Sequence, residues 1–194
     1  MPSHAAPQVE ACFGFYSRPV TQSGNDVLIG GAGNDVLVAG TGRNLLIGGA
    51  GADYLFGQKG ENIAITGTTD YDSNDVALAA IMAEWTSKHS YAERVANLSG
   101  TGTADRLNGN YFLIAGGPGA TVHGDGKVNR VFGGSGGNWY FAQLSGLVGD
   151  LLEGKRHGEV VEDIGSEQRE SGTNTGQSCI RPRGTIVLRF LSGG

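Results

Sequence analysis

Glycine accounts for 35 of the 194 residues, about 18% against a usual share of about 7%, while charged residues make up 17% of the chain. This composition excludes a coiled coil or helix bundle, because each glycine inside a helix costs about 1 kcal/mol. The net charge of −5 offers no basic surface for nucleic acid, and no apolar run reaches the roughly 18 residues of a membrane-spanning helix.

The first 20 residues predict a poorly ordered N-terminal extension. They have neither the basic start nor the continuous apolar core of a readable secretory signal peptide. Cys12 near this end and Cys179 near the other are too far apart for a metal-binding motif. Their spacing leaves open whether they form a disulfide or stay free.

Residues 21–65 consist of five tandem nonapeptides: TQSGNDVLI, GGAGNDVLV, AGTGRNLLI, GGAGADYLF and GQKGENIAI. The fourth place of each unit is Gly, and the eighth is Leu in the first four units and Ala in the last. The sixth place is always an aspartate or an asparagine, namely Asp26, Asp35, Asn44, Asp53 and Asn62. A fixed short period of this kind is typical of architectures built from stacked repeats.

The unit resembles the nonapeptide G-G-x-G-x-D-x-U-x of the repeats-in-toxin (RTX), or haemolysin-type calcium-binding, family. The second and fourth units match every fixed place, and the other three match in part. The resemblance implies a mainly β fold, a short parallel β-roll in which two nonapeptides complete one turn, with Ca²⁺ as the bound ion. It also implies a secreted bacterial protein. The segments TGTTDYDSNDVALAAIMAEW and RLNGNYFL are more loosely similar to a C-terminal module of large secreted bacterial proteins.

The sixth-place side chains are the candidate metal ligands. Calcium takes six to eight oxygen ligands, which stacked turn carbonyls and carboxylates can supply. Stacking of every second unit places Asp35 over Asp53, and we expect the best site there. Asp26 with Asn44 is a second candidate, weaker because an amide carries no charge, and Asn44 with Asn62 is the poorest. The alternative is that these side chains only form hydrogen bonds within the turns.

The strand positions of the repeats are apolar on both faces. Places seven and nine, which point outward in such a roll, are Val27, Ile29, Val36, Val38, Leu45, Ile47, Tyr54, Phe56, Ile63 and Ile65. Sheets of this kind are usually covered on both sides, and a bare face would be an association surface.

Residues 66–99 predict a helical segment beside the roll. One helix is indicated over 74–87 by apolar residues at helical spacing, which are Leu78, Ile81, Met82 and Trp85. Ser90 and Glu93 form a capping box that opens a second helix. We expect the first helix to cover an outward face of the roll and bury Trp85. The alternative is that its apolar stripe forms the core of a separate helical subdomain.

An EF-hand-like pattern precedes the first helix. Asp70, Asp72 and Asn74 match the first three ligand places of such a loop, but Asp75 and Ile81 occupy the places of its invariant Gly and Glu. Acidic and amide residues at this position usually cap a helix. We therefore expect a cap here and no calcium loop.

The rest of the chain predicts degenerate roll turns over 100–152 and a polar, flexible tail over 153–194. Gly133–Phe141 is a further nonapeptide, with Asn138 in its sixth place. Within the tail, Thr185–Leu191 is strand-like and is a candidate export signal, although it has no recognisable pattern.

No catalytic constellation is evident. Residues 133–137 satisfy G-x-S-x-G, but this motif requires a strand–turn–helix context with a partnered His and acid. The four histidines lack the spacing of metal ligands. We expect no enzymatic activity from this chain.

The sequence therefore predicts an extracellular calcium-binding module with a structural role, whose folding is coupled to calcium. Two alternatives remain. One is a metal-independent adhesive or self-associating module, and the other is a non-catalytic accessory part of a larger secreted hydrolase.

Overall fold

The computed structural model of the chain describes residues 9–11, 18–102, 105–146 and 149–165. Strands dominate this part of the chain, and two short helices accompany them. The strands are β1 (Val9–Ala11), β2 (Val27–Ile29), β3 (Val36–Val38), β4 (Thr41–Ile47), β5 (Tyr54–Phe56), β6 (Lys59–Ile65), β7 (Thr68–Thr69), β8 (Val122–His123), β9 (Arg130–Phe132), β10 (Trp139–Ala142), β11 (Leu151–Glu153) and β12 (Val160–Asp163). The helices are α1 (Asp75–Trp85) and α2 (Tyr91–Leu98).

The strands of successive repeats alternate between two parallel sheets. One sheet has the order β1-β2-β4-β6-β10-β12 and the other the order β11-β9-β5-β3. Val27 pairs with Leu45 and Val36 with Tyr54, so each nonapeptide pairs with the next but one. The period of nine therefore sets the register of both sheets. A small antiparallel ribbon of β7 and β8 brings the chain back after the helices.

The eighth places of the repeats form a core between the two sheets. Side chains alternate across a strand, so the middle residue of each three-residue strand points to one face and its two neighbours to the other. The buried members of this cluster are the eighth-place residues Leu28, Leu37, Leu46, Leu55, Ala64, Val131 and Tyr140, together with Ala39. Removal of this apolar surface from water stabilises the stacking of the repeats.

The helical segment covers the outer face of the six-stranded sheet. Trp85 of α1 is 0% exposed and belongs to the same buried cluster as Leu45 and Ile63 of that sheet. The expectation that the first helix buries Trp85 on an outward face is confirmed. The helix begins after Asn74, whose side chain accepts a hydrogen bond from Ala77 N at 3.1 Å, which confirms the expected cap.

The second helix begins with the capping box that the sequence predicted. Ser90 Oγ accepts a hydrogen bond from Glu93 N, and Glu93 Oε2 accepts one from Ser90 N at 2.8 Å. Neither α1 nor α2 has the length and apolar character to cross a bilayer, so the described residues contain no membrane-spanning helix.

The outer face of the four-stranded sheet is partly exposed. Tyr54 is 42% and Leu151 is 44% exposed. Phe56 stacks on Phe132 of the neighbouring strand, with ring centroids 4.7 Å apart.

The prediction of a flexible tail from Glu153 differs from the structure, because β12 pairs with β10 in the six-stranded sheet. The short apolar pair Val160 and Val161 is enough for one strand, although the surrounding composition is polar. Cys12, Cys179 and the strand-like segment 185–191 lie outside the described residues.

Candidate metal centre

The sixth-place side chains of the repeats are buried and form two rows, one at each side of the stacked turns. We call one row the asparagine ladder, which consists of Asp26, Asn44, Asn62, Asn138 and Glu159. We call the other row the aspartate ladder, which consists of Asp35, Asp53, Asn129 and Asp150. Every member of both ladders is at most 8% exposed.

Main-chain donors link most neighbouring members of each ladder in the same way. The N–H of one member donates to the side-chain oxygen of the next, as from Asp35 N to Asp53 Oδ1 at 2.8 Å. Asp26 N donates likewise to Asn44 Oδ1 at 2.9 Å. The structure therefore brings together the residue pairs expected from the stacking of every second unit.

The asparagine ladder continues through its side-chain amides. Asn44 Nδ2 donates to Asn62 Oδ1 at 3.0 Å, and Asn62 Nδ2 donates to Asn138 Oδ1 at 3.1 Å. Asn138 Nδ2 donates in turn to Glu159 Oε1 at 2.7 Å. An amide both donates and accepts, whereas an ionised carboxylate only accepts, so this row ends naturally at Glu159.

The aspartate ladder lacks such a continuation at Asp53. Its Oδ1 accepts the hydrogen bond from Asp35, while its buried Oδ2 has no hydrogen-bond partner within the described residues. A Cβ placed on Gly48 would be 2.6 Å from Asp53 Oδ2 and 2.9 Å from the carbonyl oxygen of Thr66. Two acceptor oxygens thus lie beside the same point, an arrangement that costs free energy unless a cation or proton joins them.

Neighbouring charges add to this cost. Burial raises the pKa of Asp53 to about 7; the hydrogen bond from Asp35 N opposes the rise, and the charges of Asp35, Asp125 and Asp150 add to it. Asp125, which follows β8, approaches the turn through a hydrogen bond from Gly51 N to its Oδ2 at 2.7 Å. A bound divalent cation would relieve this accumulation of negative charge.

The donor set fits calcium. Nowhere in the described residues do three or more imidazole, thiol or carboxylate side chains gather as a metal-binding cluster. A site here must therefore combine one or two carboxylates with main-chain carbonyls, the oxygen-only coordination that calcium accepts. A second such place lies beside Gly30, where Asp35 Oδ2 and the carbonyl oxygen of Gly48 converge.

Asp26, the candidate carboxylate of the other ladder, resembles Asp53 in one respect. Its Oδ2 is buried without a hydrogen-bond partner in the part of the chain that the structure describes. Its ladder neighbour Asn44 supplies an amide in place of a second carboxylate.

Sequence reasoning missed two members of the ladders, Asp150 and Glu159, whereas the loosely fitting nonapeptide over 124–132 already places Asn129 in its sixth position. Asp150 and Glu159 stand in the sixth places of SGLVGDLLE and GKRHGEVVE, which lack the fourth-place Gly. The three residues 142–144 interrupt the period before these units. The remaining signal for these two units was an acidic residue directly before two apolar residues, as in DLL and EVV.

The G-x-S-x-G segment lies in a turn between β9 and β10. Ser135 N donates to Gln58 O, and Ser135 O accepts from Gly60 N, so this serine is part of the stack of turns. The segment therefore lacks the strand–turn–helix context of a hydrolase nucleophile.

These features define a class, namely a protein of stacked nonapeptides with carboxylates between the turns. Residues 20–46 and 29–64 match the family model of the RTX calcium-binding nonapeptide repeat (4 copies), so this N-terminal region carries RTX repeats. Calcium is the ion that such repeats imply. No curated protein and no solved structure matches the chain.

Proposed function

We propose that this chain is a calcium-binding structural module of a secreted protein, a short parallel β-roll whose folding is coupled to calcium. The observation that carries this proposal is the buried Asp53 carboxylate, whose Oδ2 has no hydrogen-bond partner within the described residues and lies, with the carbonyl oxygen of Thr66, beside the same point at Gly48. The RTX repeats of the same region support calcium as the ion.

Calcium binds, in this proposal, between the turns that end at Asp35 and Asp53. The ion contacts Asp53 Oδ2, which has no hydrogen-bond donor within the described residues, and it offsets the mutual repulsion of the carboxylates. The adjoining strands β3 and β5 have only three residues each, so contacts between the turns contribute much of what holds these units together. Binding of the ion is therefore linked to folding.

The proposed location follows from the affinity range of such sites. Extracellular calcium modules bind with dissociation constants of about 10⁻⁴–10⁻³ M, which matches a site of few carboxylates and many carbonyls. A module of this affinity stays empty inside a cell and fills outside it. Asp26 with Asn44 forms a second, weaker site in this proposal.

Self-association is a second candidate function, and one specific observation favours it. The outer face of the four-stranded sheet presents the stacked rings of Phe56 and Phe132 beside the half-exposed Tyr54. Exposed apolar faces of this kind often mediate association.

The test is a calcium titration of the full chain by circular dichroism, from excess chelator to about 10 mM, which spans the expected affinity range. We expect a change in signal and a higher melting temperature with calcium, and a much smaller effect with magnesium. An unchanged spectrum and melting temperature would refute the calcium function. Light scattering of the same samples tests self-association separately.

A further inference from the structure

We propose that the asparagine ladder from Asn62 to Glu159, with the amide of Asn44 that donates to it, is a metal-independent clamp beside which the helical segment docks. The aspartate ladder, on the other side of the stack, uses calcium instead. The chain then keeps one side of its repeats folded when calcium is withdrawn. This proposal goes beyond the calcium function, and its central contacts exist whether or not the aspartate ladder binds an ion.

The first argument compares Asn62 with Asp53, which occupy the same place in neighbouring repeats. Asn62 Nδ2 donates to the carbonyl oxygen of Gly57 at 3.0 Å, in addition to Asn138. A Cβ on Gly57 would be 2.7 Å from this Nδ2, as a Cβ on Gly48 would be 2.6 Å from Asp53 Oδ2. In the asparagine ladder a donor, Asn62 Nδ2, therefore faces a carbonyl oxygen at this place. In the aspartate ladder an acceptor, Asp53 Oδ2, lies at the equivalent place. The amide makes by itself the contact for which the carboxylate requires a cation.

The second argument is the backbone of the turns. On the side of the asparagine ladder, β4 and β6 run on through their turns for seven residues each. Gly42 pairs with Gly60 and Asn44 with Asn62 inside this extended register. On the opposite side, β3 and β5 have three residues each. The turn backbone beside Asn44 and Asn62 is therefore held by sheet pairing and needs no ion for its order.

The third argument is the docking of the helices on these two units. Glu61 Oε2 pairs with Arg43 Nε at 2.8 Å and with Arg94 Nη2 of α2. The Glu61 carbonyl oxygen accepts a hydrogen bond from Trp85 Nε1 at 3.1 Å. Arg94 is 1% exposed, and its guanidinium lies 5.0 Å from the centroid of the Trp85 ring.

Arg43 also reaches the connection between the helices, because its Nη1 donates to Ser87 O at 2.7 Å. Arg43 and Glu61 stand in the fifth places of the third and fifth units, where the first two units have asparagine. The third and fifth units, which depart from the calcium motif, thus contact the helical segment. In this proposal, amide hydrogen bonds and the salt bridge from Glu61 to Arg94 of α2 take the place of ion binding in these units.

The test uses the full chain in excess chelator at pH 8.5, where an introduced carboxyl is ionised. Asn62→Asp replaces the donor by an acceptor in the ladder. Asn25→Asp is the matched control, since it makes the same amide-to-carboxylate change in the same row of turns. In the unaltered chain Asn25 Oδ1 accepts a hydrogen bond from Arg43 N at 2.8 Å, and an aspartate at this position keeps that acceptor. We expect Asn62→Asp to lower the melting temperature by about 5 °C or more and Asn25→Asp to change it by less than about 2 °C.

Hydrogen exchange of the unaltered chain in chelator is the second measurement. We expect protected amides along β4 and β6 and faster exchange in the turns that end at Asp35 and Asp53. An unchanged melting temperature for Asn62→Asp, or full exchange of β4 and β6 in chelator, would overturn the proposal. Because both measurements are made without calcium, a chain that fails to bind calcium refutes the proposed function and leaves this test intact.

Discussion

Asp35 N donates a hydrogen bond to Asp53 Oδ1 at 2.8 Å, across 18 residues of sequence and one turn of the stack. The two side chains belong to the two units that match the repeat motif at every fixed place. Their carboxylates occupy the repeat position at which Asn44, Asn62 and Asn138 of the other ladder have amides. This pair is therefore the point where the two sides of the repeats differ in chemistry.

Replacement of Asp35 and Asp53 by asparagine should have opposite effects with and without calcium. The added amide donors remove the contact between acceptors, so we expect a higher melting temperature in chelator. The same change removes both carboxylates from the proposed site, so calcium should no longer raise the melting temperature. Thermal unfolding in both buffers measures this, and Asp26→Asn should reduce the calcium effect less. The reverse order of the two variants would contradict the assignment of the main site.

Trp85 should contribute strongly to stability, because it fills the interface between α1 and the six-stranded sheet. We expect Trp85→Ala to lower the free energy of unfolding by about 3–5 kcal/mol, as truncation of large core side chains does. Val76 on the same helix is 69% exposed, and Val76→Ala should change the free energy of unfolding by less than about 0.5 kcal/mol. Urea denaturation compares the two, and equal effects would show that the helix is not docked as described.

Gly51 should not tolerate a side chain. Its φ is 141°, and a Cβ there would collide with the carbonyl oxygen of Gly33 in the preceding turn. We expect Gly51→Ala to cost more than about 3 kcal/mol of unfolding free energy, since backbone must move. Gly109 has a φ of 56° with open space around it, so Gly109→Ala should cost only about 1–2 kcal/mol. Chemical denaturation measures the unfolding free energy of both variants. A loss for Gly51→Ala no larger than that for Gly109→Ala would contradict the close stacking of the turns.

Glu84 should make stability depend on pH in the acid range. Burial raises its pKa, but hydrogen bonds from Leu107 N, His89 and Asn97 outweigh burial and hold the pKa below its ordinary value of 4.5. A lowered folded pKa means that this stabilisation is complete above pH 4.5 and is lost as the pH falls through the folded value.

The difference in unfolding free energy between the unaltered chain and Glu84→Gln should therefore shrink as the pH falls below about 4.5. His89, whose pKa is raised by its hydrogen bond to Glu84, acts at the other end of the range. Its contribution is complete below its ordinary pKa of 6.5 and is lost as the pH rises through the folded value. Denaturation curves of the unaltered chain and of Glu84→Gln from pH 3 to pH 9 test both signs. A difference in unfolding free energy that stays constant over this range would contradict them.

The repeat period was sufficient to predict the pairing of the strands, because a fixed spacing leaves one register for the stack. It also placed Asp35 over Asp53. The spacing of Leu78 and Trp85 was sufficient for α1, although the alternative of a separate subdomain could be discarded only once Trp85 was seen against β4 and β6.

The sequence offered hydrogen bonding by these side chains only as an alternative to metal binding, and it could not show that this alternative applies to the asparagine ladder. By the motif, Asn44 and Asn62 were poorer calcium ligands than aspartate. A sequence motif records residue types, and it does not show which acceptor each side-chain amide faces. The sequence also could not show that Glu159 closes this ladder, because an insertion shifts the later units out of phase.

The most direct test of the calcium function is isothermal titration of calcium into the full chain and into Asp53→Asn at neutral pH. We predict saturable binding by the unaltered chain with a dissociation constant of about 10⁻⁴–10⁻³ M, and loss of the strongest phase in Asp53→Asn. Equal binding by both proteins, or no binding by the unaltered chain, would contradict calcium coordination at the aspartate ladder.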